Sequence, residues 1–147
     1  MSQRCTRDRS NTCIELLDFA GHSESVICEA WFPDCHRIVF GSEGKFVKGC
    51  DTNTGLELLV LTGHSNSVLC VAVFQDCSRI VSGSDDKSVK VWDAKNGTNL
   101  MTLTGHRSSV WSVAVFSDYS RIGSGSIDKS MKVWDVKNGP QHCEPTA

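Results

Sequence analysis

The dipeptide Gly-His recurs at Gly21-His22, Gly63-His64 and Gly105-His106, a spacing of 42 residues both times. A fixed period of this size means a chain of stacked copies of one small unit, each burying its apolar face against its neighbours. From Gly63 to Gly97 against Gly105 to Gly139, 25 of 35 positions are identical, including the runs SRI, KVWD and KNG. The first copy keeps Gly-His, Ser25-Val26, Arg37-Ile38-Val39 and Gly41-Ser42. It departs at Lys48-Gly49-Cys50-Asp51, where the others read Lys-Val-Trp-Asp.

Within the second copy, four short β-prone runs stand out: Ser67 to Phe74, Arg79 to Ser82, Ser88 to Trp92, and Asn99 to Leu103. Turn-forming stretches separate them: Gln75-Asp76-Cys77, Gly83 to Lys87, and Asp93 to Thr98 with its Asn96-Gly97 pair. No apolar period of 3.6 is sustained over the length of a helix, so the chain reads as all-β with four antiparallel strands per unit.

Composition narrows the function classes. A net charge of -2 and a pI near 6.2 give no field that would draw a nucleic acid. Lys45, Lys48, Lys87, Lys90, Lys129 and Lys132 recur by position, but acidic neighbours balance them and they read as solvated strand edges. No run of 18 apolar residues exists, and the polar stretch from Met1 to Asn11 lacks a signal-peptide core, so the expectation is a cytoplasmic protein without a membrane partner. The eight cysteines include no C-x-x-C pair. Cys28 and Cys35 recur as Cys70 and Cys77 but become Ser112 and Tyr119 in the third copy, a replacement that a metal site would not tolerate, so no metal is expected.

The Gly-His pairs, the Ser-Gly-Ser-x-Asp-Lys-Ser turns and the terminal Trp92-Asp93 and Trp134-Asp135 together resemble the WD-repeat β-propeller family, from Ile14 to Gly139. The wording SRIVSGSDDKSVKVWDAKNG is most similar to the WD arrays of fungal NACHT-type signalling proteins. The resemblance implies a partial β-propeller of three four-stranded blades, at about 21–62, 63–104 and 105–139. A polar segment, 1–12, and an outer strand precede them, and a disordered tail, 140–147, follows.

It further implies a hydrogen-bonded structural tetrad in each intact blade: His64, Ser82, Asp86 and Trp92 in the second, and His106, Ser124, Asp128 and Trp134 in the third. In the first copy His22 remains, but Phe40, Gly44 and Cys50 stand at the Ser, Asp and Trp positions. That bracket is lost, and the first blade is expected to be the least stable. His, Ser and Asp are also the residues of a hydrolytic triad, but a triad needs an exposed, activated hydroxyl beside an oxyanion hole. A set that repeats blade by blade reads as a bracket, so neither catalysis nor a cofactor is expected. Asp34, Asp76 and Asp118 read as turn residues capping their own backbone.

In the family, the strand before each Gly-His is the outer strand of the preceding blade. Here such strands precede all three copies, at Cys13 to Phe19, Leu56 to Leu61 and Asn99 to Leu103. The closing PQHCEPTA, with two prolines, offers none, so the third blade is expected to lack its outer strand. Three blades fall short of the four to eight that close a propeller. Either a homodimer completes a six-bladed ring, or the chain is a piece of a longer array.

The function implied is a non-catalytic scaffold for a protein or peptide partner. The contact positions carried over by offset are Ser67, Leu69 and Asp85 in the second blade and Ser109, Trp111 and Ile127 in the third, with Arg107 beside them. Their first-copy counterparts are Ser25, Ile27 and Glu43. Trp111 could instead pack between blades. The alternative is a repeat segment of a larger nucleotide-switch signalling protein, although no G-x-x-x-x-G-K-[ST] loop is present in this chain.

Overall fold

Short runs rich in Val, Ile and Leu, joined by turns only a few residues long, can satisfy their backbone groups only by pairing with their sequence neighbours in antiparallel fashion. The computed structural model describes residues 5–7, 13–15, 24–34, 36–136 and 145–146. Its strands are β1 (Cys5–Arg7), β2 (Cys13–Glu15), β3 (Val26–Trp31), β4 (Arg37–Ser42), β5 (Val47–Asp51), β6 (Glu57–Leu61) and β7 (Val68–Val73). There follow β8 (Arg79–Ser84), β9 (Val89–Asp93), β10 (Asn99–Leu103), β11 (Val110–Val115), β12 (Arg121–Ser126), β13 (Met131–Asp135) and β14 (Pro145–Thr146).

Three four-stranded sheets result, β3-β4-β5-β6, β7-β8-β9-β10 and β11-β12-β13-β14, with β1 and β2 paired apart from them. Among the described residues there is no helix. As the repeat order implies, β6 and β10 are the outer strands of the first and second sheets and lead directly into the next Gly-His.

Both ends of the array depart from expectation. The third blade does have a fourth strand: Pro145–Thr146, in a tail read from sequence as disordered, pairs with Trp134 and Val133. The open ladder edge of β13 accepts an extended segment, and Pro145, which has no N–H to offer, is tolerated because β14 is itself an edge. At two residues it is much shorter than the five of β10. At the other end Cys13–Glu15 pairs with Cys5–Arg7, so the segment 1–12 supplies a partner strand for the outer strand that sequence leaves without a blade. The remainder of that expected strand, 16–19, lies outside the described residues.

Apolar residues collect in the seams between sheets. Phe32, Val39, Val47 and Leu61 of the first blade pack with Val68, Val73, Ile80 and Trp92 of the second. Phe74, Val81, Val89 and Val91 of the second repeat that arrangement with Val110, Ile122, Trp134 and Val136 of the third. Each seam closes where a glycine in the second strand of one blade meets a valine in the first strand of the next. A Cβ placed at Gly41 would lie 2.6 Å from Cys28 Sγ and 2.7 Å from Val68 Cγ1. At Gly83 the same distances, 2.6 and 2.7 Å, separate it from Cys70 Sγ and Val110 Cγ1. Real Cβ atoms do not approach that closely, so only glycine lets the sheets touch here. This is why β8 continues through Gly83-Ser84, which sequence reads as the start of a turn.

Arginine adds a bolt at the far end of the second seam. The Arg79 guanidinium lies over the Phe74 ring at 4.0 Å and donates to Val136 O at 2.8 Å and Tyr119 O at 2.7 Å, both on the third blade. Its counterparts, Arg37 and Arg121, cover Phe32 and Phe116 at 3.8 and 4.7 Å, but pair with Asp34 and Asp118 of their own turns.

The seam geometry predicts that Gly83→Ala lowers stability by about 1–3 kcal/mol through overpacking. Gly125→Ala, whose Cβ would meet only the rotatable Ser112 hydroxyl at 2.7 Å, costs much less. Thermal denaturation of the two variants checks this; equal losses would count against the glycine contact as the closing element.

Candidate functional site

The second blade brings His64, Ser82, Asp86 and Trp92 together from a loop, β8, a turn and β9. His64 Nδ1 lies 2.8 Å from Asp86 Oδ2, His64 Nε2 lies 2.7 Å from Ser82 Oγ, and Trp92 Nε1 donates to Ser82 Oγ at 2.8 Å. Proton positions follow from chemistry: an indole N–H can only donate, so the serine oxygen accepts it and its O–H donates to Nε2, leaving the proton of a neutral imidazole on Nδ1, aimed at the carboxylate. The third blade repeats the arrangement, with His106 Nδ1 3.1 Å from Asp128 Oδ2, His106 Nε2 2.7 Å from Ser124 Oγ, and Trp134 Nε1 2.8 Å from the same hydroxyl.

The aspartates hold the turns as well as the histidines. Asp86 accepts the Ser88 hydroxyl at 2.6 Å, the Ser88 amide at 2.9 Å and the Ser65 amide at 3.0 Å. In these turns Lys87 lies at φ 76° and Lys129 at φ 72°, as does Lys45 at φ 74° in the first blade, where Gly44 replaces the aspartate. Burial raises the Asp86 carboxyl, but the hydrogen bonds from Ser88 and His64 outweigh it and hold the group at about 2. The Ser130 hydroxyl and the Arg107 amide hold Asp128 well below the usual carboxylate range. Burial pushes His64 down, against the opposing pull of Asp86.

These groups form a bracket rather than a reactive site. Ser82 is fully buried and its oxygen already takes the indole N–H, so no hydroxyl stands free for a substrate. Two of the described thiols are withdrawn as well: burial pushes Cys28 up to about 11 and Cys70 up to about 12. Among the described residues no group of three or more His, Cys, Asp or Glu is placed to hold a metal ion. No described helix is long and apolar enough to cross a membrane. Asp34, Asp76 and Asp118 each accept the amide two residues on, at 2.9–3.0 Å.

In the first blade the bracket is replaced rather than merely lost. His22 lies outside the described residues, but Phe40, at the serine position, is 2% exposed and packs with Ile38 and Cys50, the residue at the tryptophan position. The aromatic mass has moved from one strand to its neighbour, and the hydroxyl and the indole N–H have left together. Removing both partners of a buried hydrogen bond costs far less than removing one. Gly44, at the aspartate position, keeps the turn by donating its amide to Ser42 Oγ at 3.0 Å.

The carried-over contact positions separate into two kinds. Ser67 Oγ donates to Glu43 O at 3.4 Å and Ser109 Oγ to the Asp85 carboxylate, so both serines latch neighbouring blades. Leu69 is half-buried, and Asp85 and Arg107 are exposed. Trp111 and Ile127 are 56% and 54% exposed and line one hollow of about 490 Å³ together with Lys129 and Met131. In the single chain Trp111 is exposed, and the hollow it lines also includes Ser112 and Gly125 of the open face of the third blade.

A register shift explains its aim. Val110 pairs with Ser126 but Ser112 with Gly125, which makes Trp111 the extra residue of a β-bulge, and the same shift falls at Leu69 and Ile27. A bulge turns the unpaired side chain out of the pleat. Repeat offsets locate these positions, but nothing in the sequence marks the bulge itself. The recurrent lysines do not form one cationic face either: Lys48 pairs with Glu57 at 3.3 Å and Lys90 is buried against Thr102 Oγ1 at 2.9 Å.

This fold is shared with known proteins. The family profile for the WD domain, G-beta repeat, matches residues 55–93 and 97–135, more than half of the 147-residue chain. The chain belongs to the WD-repeat family. Among solved structures it is similar to "Structure of U3-55K", with a TM-score of 0.78 and 30% identity over 86% of this chain and 41% of that one. It is equally similar to "Crystal structure of RRP9 WD40 repeats", with a TM-score of 0.78 and 30% identity over 85% of this chain and 40% of that one. The chain therefore spans about two fifths of the length of these structures. No curated protein matches it significantly in sequence.

Ser82→Ala strands an indole N–H and an imidazole nitrogen, at a cost on the order of 1–3 kcal/mol for each group left unpaired. In urea denaturation it should be markedly less stable than wild type, whereas an unchanged midpoint would show that the bracket carries no stability. The pH dependence has a defined sign. His64 is held below its unfolded range and Asp86 at about 2, so both favour the deprotonated group in the folded state. Melting temperature should be flat between about pH 7 and 8, fall as unfolded histidine protonates below about 6.5, and fall again between about 4 and 2; above about 8.5 it should also fall, as cysteine ionises in the unfolded chain while Cys28 and Cys70 stay protonated in the folded one. A rise in stability on acidification below about pH 7 would contradict the assignment.

Proposed function

We propose that the chain is a protein-interaction scaffold whose principal contact for a protein or peptide partner is the rim of the third blade. The observation that carries this is the Trp111–Ile127 pair, two large apolar side chains more than half exposed at positions where the second blade has Leu69 and Asp85. Exposed aromatic residues beside arginine, here Arg107, are the residue types that dominate binding energy at protein interfaces. A second copy of the chain is also a partner in this reading, with three blades from each copy making a six-bladed ring, within the range of four to eight in which propellers close.

Peptides selected on the chain from a random library should bind Trp111→Ala at least about tenfold more weakly, the size of a hot-spot loss. The variant should melt as wild type does, because the side chain lies outside the core. Equal binding by both would overturn the assignment of the rim.

A further inference from the structure

The two ends of the array have faces that its internal seams show covered. In the second seam the face of the second blade formed by Cys70, Val81, Gly83 and Val89 is buried by Val110 and its neighbours. The same face of the third blade, formed by Ser112, Gly123, Gly125 and Met131, has no valine against Gly125 and leaves Met131 87% exposed.

The first blade carries the complementary strand. β3 offers Ser25-Val26, the pair that in the other two blades latches and plugs the preceding one as Ser67-Val68 and Ser109-Val110. Its Ile27, Glu29 and Trp31 are exposed. Ile38 and Cys50, further along the same blade, are already buried in the single chain, so the contact falls to β3.

Resting on the six-bladed ring proposed above, we infer that a second copy occupies the open face of the third blade, with Val26 of one chain seated on Gly125 of the other and Trp31 filling the hollow at Gly123. The substitutions that distinguish the end faces from the internal seams compensate in size. In the first seam Val73 lies in one cluster with Val39, and in the second Val115 packs against the cluster that holds Val81. At the chain ends Trp31 stands in place of Val73 and Val115, while Gly123 stands in place of Val39 and Val81. A large residue has replaced a small one on one face and glycine has replaced valine on the other. Gly123 opens a hollow of about 270 Å³, lined by Phe116, Met131 and Val133, and an indole fits its apolar lining. A contact of this head-to-tail kind either closes or propagates, and two copies of three blades close at six.

The seam is weaker than the internal ones. Glu29 stands where they have Val71 and Val113, and a carboxylate entering an apolar seam opposes association.

Light scattering after gel filtration, over a dilution series of the full chain, tests the inference. Wild type should reach twice the chain mass of 16.1 kDa at high concentration and dissociate on dilution. Gly123→Val, whose added Cβ meets Phe116 and Lys132 O at ordinary distances of 3.7 and 3.9 Å, should leave the fold intact and weaken the dimer at least tenfold. Trp31→Val should weaken it too, the two together should restore it, and Glu29→Val should tighten it about tenfold. A wild type that stays monomeric overturns the ring and the seam together. A wild-type dimer indifferent to the Gly123 and Trp31 variants, or weakened additively by both, overturns this seam and leaves another dimer. Growth to ever larger species overturns closure.

Discussion

The contact on which the architecture turns is a backbone approach that only glycine permits. At Gly41 and at Gly83 the second strand of a blade has no side chain, and the first-strand valine of the next blade enters the space. Dispersion and burial act over the rest of the seam only once the sheets stand that close. The apolar clusters of Val39, Val47, Ile80 and Trp92, and of Val81, Val89, Ile122 and Trp134, are consequences of that approach. The repeat is therefore best understood by its seams: each sheet is completed by the face of its neighbour, and stability is shared along the array rather than held within one unit.

The polar brackets do a different job. The chain from carboxylate to imidazole to hydroxyl to indole ties a surface turn, a loop and two strands of one blade, and tolerates no missing member. The first blade shows the other stable solution. With Phe40 and Cys50 in place of serine and tryptophan it buries an apolar cluster, and no orphaned hydroxyl or indole remains. Sequence alone makes this blade look eroded, because it reports the lost hydrogen bonds and not the packing that replaces them.

What could be read from the chain followed the physics of each feature. The strands and both tetrads were legible because a 42-residue period repeats their offsets, and Asp86 and Asp128 in tight turns have few other roles open to them. The bulge at Trp111 was hidden, since register depends on the partner strand rather than on local composition. Gly83-Ser84 looked like a turn because local propensity disfavours glycine in strands, and the tertiary contact that demands it lies in another blade. The strand at Pro145–Thr146 had no alternation to announce it; an open edge on β13 drew it in. The exposure of Trp111 was not legible either, since no offset reveals it.

The claim that unites these observations is that one seam geometry, repeated within the chain, is repeated again between copies. A Cβ at Gly41 would lie 3.2 Å from Val68 Cβ, and one at Gly83 would lie 3.2 Å from Val110 Cβ, near the span a disulfide bridges. Cysteines introduced together at positions 26 and 125, oxidised and analysed by non-reducing mass spectrometry beside each single variant, report directly on whether the third seam forms. The account predicts a covalent two-chain species joined between those two positions and absent from the single variants. A chain that remains monomeric, or one that links into an open ladder of many copies, would contradict it.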